Sequence, residues 1–371
     1  MSGGIDSSVT AALLKRANFD VTGVFMKLAD SPNFKKSEKR ARKIAKFLKI
    51  PFFVFDFRKE FRKRIINCFL RDYRKGLTPN PCVFCNKQIK FGLLLEKALK
   101  LKADFLATGH YAKRQKIENR NQKIEYKLLR AKDKDKDQSY FLWRLNQNQL
   151  KHILFPIENY TRKEVEGLAK KFKLPILNIK KSVEICFIKT TINLVRGQRG
   201  SVETQRKQTS NGVNDFLMKY LKEKPGKIVD IKGKVIGEHK GLWFYTIGQR
   251  KGIGLAGGPA FAKASAGKPF YVLDKDLRKN ILIVTKNKKD LEKKELIAQN
   301  INWISGRVPK LPLKIKAKIR YRHHPASAVI TKTKNPKIVQ LKFYKAQAAI
   351  TPGQSVVFYR DQELLGGGII N

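Results

Sequence analysis

The chain opens Met1-Ser2-Gly3-Gly4-Ile5-Asp6-Ser7-Ser8, two glycines and a run of small polar residues that lead straight into a helical pattern. Gly3 and Gly4 let the backbone approach an anion closely. Ser7 and Ser8 bring hydroxyls and free N–H groups to a helix start, where the dipole favours negative charge. Val9, Ala12 and Leu13 follow at helical spacing and give that helix an apolar face to dock on a sheet. The stretch reads as a phosphate cradle; the plain alternative is a Gly/Ser-rich helix cap with no ligand. It lacks the Gly-x-x-x-x-Gly-Lys-Ser/Thr pattern, and no Gly-x-Gly-x-x-Gly follows a strand. Ordinary kinases, GTPases and dinucleotide enzymes therefore lose weight.

Working outward, residues 21–26 have the composition of a short buried strand, 37–48 of a basic helix and 51–57 of a second strand. Helical patterns at 58–75 and 86–101 precede an apolar strand at 103–108, which ends on Gly109-His110. Strands alternating with helices imply a doubly wound parallel sheet, with ligands gathered at the carboxyl ends of its strands. Residues 111–129 read as a polar, hairpin-like excursion and 132–138 as a charged loop, with helices at 139–150 and 161–172. An apolar segment at 183–188 carries Cys186 in its middle. Residues 189–212 have little periodicity and read as a flexible insertion, and Gly257 to Lys268 as a mobile loop. A helix resumes at 215–221, and short Gly-punctuated strands dominate from residue 226 onward. The expected units are a catalytic α/β domain over 1–189, the insertion at 190–212, a central β-rich domain over 213–272 and a C-terminal barrel-like domain over 273–371.

The 371 residues hold 80 Lys+Arg against 30 Asp+Glu, a net charge of +50, which suits a partner with many phosphates such as nucleic acid. Codon bias towards lysine is the competing account of part of that excess. No apolar run approaches the roughly 20 residues of a membrane span, and the start lacks a secretory pattern, so the expected setting is the cytoplasm, with no membrane partner. Cys68, Cys82, Cys85 and Cys186 are too few for a disulfide scaffold and point instead to redox or nucleophilic chemistry. Cys82-x-x-Cys85 could form half a zinc site, but no second pair completes four ligands.

Taken together, the separated motifs resemble the bacterial tRNA-specific 2-thiouridylases, and the likeness covers nearly the whole chain. They are the opening loop, Phe25-Met26-Lys27, Thr78 to Lys87 with its Asn80-Pro81-Cys82-Val83-Phe84-Cys85 centre, Thr108-Gly109-His110-Tyr111, Lys136-Asp137-Gln138-Ser139, Ile185-Cys186-Phe187, Thr246-Ile247-Gly248-Gln249-Arg250, Arg320-Tyr321-Arg322 and Thr351-Pro352-Gly353-Gln354. The resemblance implies an ATP-pyrophosphatase domain that adenylates the C2 carbonyl oxygen of a wobble uridine in tRNA, so that sulfur can replace it. It assigns the persulfide to Cys186 and the catalytic nucleophile to Cys85, with a disulfide between them after sulfur release. ATP, with transient Mg²⁺, would lie on Met1, Ser2, Gly3, Gly4, Ile5, Asp6, Ser7, Ser8, Met26 and Gly109. Asn80, Pro81 and Cys82 would meet the target base. His110, Lys136, Asp137, Gln138, Arg320, Tyr321 and Gln354 would meet tRNA, and a sulfur-donating protein, a cysteine desulfurase or relay carrier, is the implied second partner.

The sequence departs from that family in three places. Members place an apolar strand before Ser-Gly-Gly, whereas here the loop begins at residue 2, so the reading expects a sheet without its first strand. The insertion follows the second cysteine, and Lys181 stands where an acidic residue is usual. Two other functions fit parts of the pattern: another ATP-pyrophosphatase-type ligase, which needs the loop but no paired thiols, and an inactive RNA-binding remnant.

Overall fold

A computed structural model describes residues 1–118, 122–175, 185–188, 212–253, 269–335 and 337–371. The expected insertion up to residue 211, Lys181 and the loop at 257–268 lie outside the described residues.

The N-terminal region alternates as the periodicity predicts. Helix α1 (Ile5–Arg16) leads to β1 (Gly23–Lys27), α2 (Pro32–Leu48) and β2 (Phe52–Asp56), and β1 pairs parallel with β2. Ser31 caps α2 by accepting from Phe34 N–H, with Pro32 in the first turn, where its missing N–H costs nothing. The predicted helix at 58–75 forms as α3 (Arg58–Phe61), a π-helical turn (Arg62–Ile66) and α4 (Asn67–Arg74). The next helix starts five residues earlier than expected, because Asn80 caps it and Pro81 opens it. It runs as α5 (Pro81–Cys85), a π-helical stretch (Asn86–Leu94) and α6 (Leu95–Lys100).

Strand β3 (Leu106–Ala107) then forms, followed by the antiparallel hairpin β4 (Ala112–Glu118) and β5 (Ile124–Arg130). The expected helix at 139–150 is instead a 3₁₀ turn (Ser139–Leu142) and, after a capping box at Asn146, the short α7 (Gln147–Lys151). Next come β6 (Ile153–Leu154), which pairs parallel with β3, and α8 (Arg162–Lys171), started by a Thr161/Glu164 capping box. Among the described residues the parallel sheet is carried by these two pairs, β1–β2 and β3–β6.

The middle region opens with α9 (Gly212–Met218), three residues before the expected start. It continues with β7 (Gly226–Val229), β8 (Val235–His239), β9 (Tyr271–Asp276) and β10 (Ile281–Thr285), hydrogen-bonded in the order β8-β7-β10-β9. The expected boundary at 272/273 therefore cuts through β9 and separates it from the sheet it completes. The periodicity could not locate this edge, because β9 and the barrel strands alternate alike.

Six antiparallel strands close the C-terminal barrel: β11 (Glu292–Trp303), β12 (Leu313–Lys318), β13 (Ala326–Lys332), β14 (Ile338–Ala348), β15 (Ser355–Arg360) and β16 (Glu363–Ile370). Closure comes from β11 pairing with β16 as well as β14. The start of β16 also pairs with β5, at Glu363–Leu129 and Leu364–Leu128, so the N-terminal hairpin extends the barrel's sheet. A shared core follows: Val83, Phe91, Tyr140 and Trp143 pack with Val357, Tyr359 and Leu364. The helix that carries Cys82 and Cys85 and the barrel are thus one packed unit. None of the described helices is long and apolar enough to cross a membrane.

Candidate active site

The opening loop holds itself in shape. Ser7 Oγ and Ser8 Oγ both donate to Gly4 O, at 3.0 and 2.9 Å, and Ser2 N–H donates to Ser7 Oγ at 3.1 Å. Gly4 is the N-cap of α1 and no side chain caps the first turn, which leaves its leading N–H groups without a capping acceptor. Asp6 does not hang free in this loop. Tyr111 Oη donates to Asp6 Oδ1 at 2.8 Å, and Arg162 pairs with the same carboxylate while its Nε bonds Glu166. Arg162 and Glu166 stand four residues apart, the spacing of an ordinary helical ion pair, so the pairing of Arg162 with Asp6 leaves no mark in the local sequence. Arg40, also unforeseen, donates from Nε to Gly3 O at 3.4 Å.

Gly109 braces the loop from beneath. A Cβ there would lie 2.8 Å from the Asp6 carbonyl carbon and 2.9 Å from Ser7 N, inside any tolerated contact with backbone atoms. Gly109→Ala should therefore push the first turn of α1 out of place and weaken ATP binding by at least about tenfold, or about 1.4 kcal/mol, while the melting temperature changes little. Calorimetric titration of the two proteins checks this, and equal affinities would refute the brace. Met26, on the carboxyl half of β1, is half-buried beside the cluster of Phe55, Phe61 and Cys85.

One residue further on, His110 connects the loop to the thiols. It is buried, its Nδ1 lies 2.8 Å from Thr108 Oγ1 and its Nε2 3.5 Å from Lys90 Nζ. Burial, with the Lys90 charge, pushes its pKa well below the ordinary value, so the imidazole is neutral. His110, which the resemblance places on tRNA, is packed against Phe91 and Phe155.

Cys85 is buried, Cys82 half-buried and Cys186 exposed, and all four cysteines are free thiols. Phe187 packs into the same cluster as Cys85 and Ile89, and its ring meets Phe61 at 5.6 Å and Phe69 at 5.5 Å, which draws the Cys186 segment onto the helix that bears Cys85. Burial pushes the Cys85 thiol up to about 11, with a smaller downward pull from Lys90. Cys186 is pushed up to about 12: solvent reaches the residue, but protein crowds the sulfur, and Cys85 and Cys82 add to the rise. Cys68 is half-buried on α4.

The segment before the thiols is clamped by all three regions. Thr78 N–H donates to Pro352 O at 2.9 Å, Gln354 Nε2 donates to Thr78 O at 2.6 Å, and Thr78 Oγ1 lies 3.5 Å from Thr246 Oγ1 of the middle region. The Asn80 side chain accepts from Cys82 N–H, and Pro81 is buried. Gln354, expected on tRNA, thus spends its amide on this loop. At Gly353, φ is +89° and a Cβ would fall 2.8 Å from Thr78 N. Gly353→Ala should cost about 1–3 kcal/mol in strain alone and displace the cysteine segment, seen as a lower melting temperature together with slower sulfur transfer.

The remaining expected RNA contacts divide. Lys136 is half-buried and Arg320 exposed, while Tyr321 lies against Phe141 at 4.5 Å, with the Lys318 ammonium 5.7 Å from its ring. Asp137 departs from expectation: it is 2% exposed, and its carboxylate accepts from Arg130 Nε, Ala131 N, Ser139 N and Ser139 Oγ. It shapes the loop from inside. Gln138 Oε1 accepts from Tyr111 N–H at 3.1 Å and ties that loop to the Asp6 partner.

Residues 1–190 match the family described as the tRNA methyl transferase HUP domain, residues 214–286 its PRC-barrel domain and residues 293–370 the aminomethyltransferase beta-barrel domain. Over its whole length the chain is 41% identical to the tRNA-specific 2-thiouridylase MnmA 2 of Thermoanaerobacter sp. (strain X514), covering 96% of that protein. The chain belongs to the tRNA-specific 2-thiouridylase family. Two further 2-thiouridylases are equally close: that of Nitrosomonas europaea, 41% identical over 378 residues, and that of Clostridium perfringens, 40% identical over 384, each again matching all of this chain, with 96% of the relative covered. In 2-thiouridylase terms, the HUP region carries the loop and the thiols, and the two β regions hold the Thr78 segment in place.

Proposed function

We propose that this chain uses ATP to convert the wobble uridine of tRNA to 2-thiouridine in the cytoplasm. The observation that carries the reading is the continuity from anion loop to thiols: Gly109 packs on Asp6 and Ser7, and the adjacent His110 reaches Lys90 on the helix that bears Cys82 and Cys85. The uncapped N–H groups of the first turn of α1 take the phosphates, with Met26 and Gly109 beside the nucleoside. Asn80, Pro81 and Cys82 face the base, and the exposed cations around Arg320 and Lys136 hold the RNA. The C2 carbonyl oxygen takes AMP from ATP and pyrophosphate leaves. The terminal sulfur of the Cys186 persulfide, loaded by a donor protein, then attacks C2 and AMP leaves. The Cys85 thiolate attacks the Cys186 sulfur, which frees 2-thiouridine and leaves a Cys85–Cys186 disulfide.

For Mg²⁺ the loop offers one carboxylate, Asp6, already bonded to Tyr111 and Arg162. Among the described residues no three acidic, His or Cys side chains gather as metal ligands. That suits an ion carried in on the triphosphate, since Mg²⁺ is commonly held by substrate phosphates and one or two carboxylates. The test is to incubate the protein with unmodified tRNA, ATP, Mg²⁺ and a persulfide-bearing donor, and to follow the nucleosides by mass spectrometry. Replacement of one uridine oxygen by sulfur, dependent on ATP, is expected; no thiolated nucleoside would overturn the proposal.

A further inference from the structure

The segments that lead to the two thiols meet the same strand of the middle region. Val272 on β9 is fully buried in a core that also takes Phe69, Leu70 and Tyr73 of α4 and, from the Cys186 segment, Ile188, with Ile185 and Phe187 packed against it. Phe216 of α9 closes this contact, its ring 5.2 Å from Phe187 and 6.1 Å from Phe69. Among the described residues, the barrel strands give no side chain to this cluster.

Further along β9, Lys275 reaches the other segment. Helix α4 is closed off where Gly76 N–H donates to Tyr73 O at 2.8 Å and Leu77 N–H to Asp72 O at 3.1 Å. The half-buried Lys275 donates from Nζ to the Gly76 carbonyl at 3.0 Å, and a cation there also complements the carboxyl end of the α4 dipole. Leu277 lies against the same glycine, its Cδ2 2.6 Å from the place a Cβ would take. The turn that brings Thr246 to Thr78 is bonded to β9 as well: Val272 N–H donates to Gln249 O at 2.9 Å, and Gly248 N–H to Val272 O at 2.8 Å. From Gly76 the chain runs through Thr78 to Asn80, which caps the helix of Cys82 and Cys85.

We propose that β9 is the frame that sets the approach of Cys186 to Cys85, with Lys275 as its positioning residue. The two sulfurs can bond only when their Cα atoms come within about 7 Å. Nothing local in the chain holds two segments so far apart in sequence to that tolerance, and β9 grips both. Its hold on the Cys186 segment is apolar contact, which tolerates sliding, whereas the Lys275 hydrogen bond is directional and fixes where the other segment starts.

The test is formation of the Cys85–Cys186 disulfide in the reduced full chain treated with diamide, which takes two electrons and two protons from the pair of thiols and becomes its hydrazine. Peptide mass spectrometry follows the cross-link, and iodoacetamide labelling of each cysteine is measured beside it. Lys275→Met should slow the cross-link by about ten- to a hundredfold, the scale that a misplacement of about 1 Å costs, while Cys85 and Cys186 are labelled at unchanged rates. A merely loosened fold would do the reverse and expose the buried Cys85 to faster labelling. Should Lys275→Met behave in that way, Leu277→Ala, at a residue 48% exposed, carries the same comparison. Lys275→Arg can still donate to the Gly76 carbonyl and should restore most of the rate. Lys279→Met removes an exposed charge just beyond β9 and should change nothing. An unchanged cross-linking rate in a folded Lys275→Met or Leu277→Ala, an equal loss in Lys279→Met, or no Cys85–Cys186 cross-link in the unsubstituted protein would overturn the frame. Its biological role rests on the thiolation reading, but the measurement needs neither tRNA nor ATP. A Lys275-dependent cross-link in a protein that never thiolates tRNA would overturn that reading and leave the frame standing.

Discussion

Cys85→Ser and Cys186→Ser should each lower thiolation by at least about 10⁴-fold, the scale seen when an enzyme loses its nucleophile, whereas Cys68→Ser should leave it unchanged. The two losses differ in kind. Without Cys186 no sulfur is loaded, so the protein stays free of persulfide after exposure to the donor. Without Cys85 the persulfide forms and attacks, but nothing frees the product from Cys186, and a covalent tRNA–protein adduct should accumulate. Gel shift under non-reducing conditions, reversed by dithiothreitol, separates these outcomes. Full activity of Cys186→Ser would remove the persulfide assignment. Serine at Cys85 fills nearly the same space in the cluster with Ile89 and Phe61, so a fall in activity there cannot be charged to a cavity.

Much of this site was legible because its chemistry needs special residue types. Glycines that cradle an anion, a proline-opened helix with two thiols and a Gly-His pair after a strand all leave marks that spacing alone exposes. Its supports left none. Arg162 and Tyr111, which hold Asp6, lie 156 and 105 residues away from it in the chain, and local periodicity carries no record of such pairings. The π-helical winding at 86–94 leaves no mark in the sequence, because an apolar pattern that fits 3.6 residues per turn does not distinguish it from an ordinary helix. Asp137 read as part of a solvated charged run, yet folding encloses it with Arg130 at 3.0 Å, its partner from the end of β5. The hairpin was foreseen as an excursion, but its union with β16 depends on a strand more than 230 residues later, at Glu363.

RNA affinity should fall by about 10³–10⁵ between about 50 and 200 mM salt, as for a surface that neutralises about six to ten phosphates. The net charge of +50 makes this a strong expectation only if the cations are concentrated where RNA lies, because lysines spread evenly as a compositional habit would release few counterions on binding. The structure narrows where to look. The exposed Arg320 holds Ala348 O at 2.8 Å with one amine and leaves the rest of its guanidinium to solvent, beside Lys318 and the Tyr140–Phe141–Tyr321 aromatic group. Tyr140 is fully buried and Lys318 nearly so, with Phe141 and Tyr321 packed against the same core, so Arg320 is the group of this cluster that can meet a phosphate. Arg320→Ala should therefore lower the slope of log affinity against log salt by about one, the signature of one lost phosphate contact. An equivalent change at the exposed Lys293, on β11, should leave the slope alone. Fluorescence anisotropy with labelled tRNA over a salt series measures both slopes. A flat response in the unmodified protein would assign the charge excess to composition and leave recognition to the loop around Asn80.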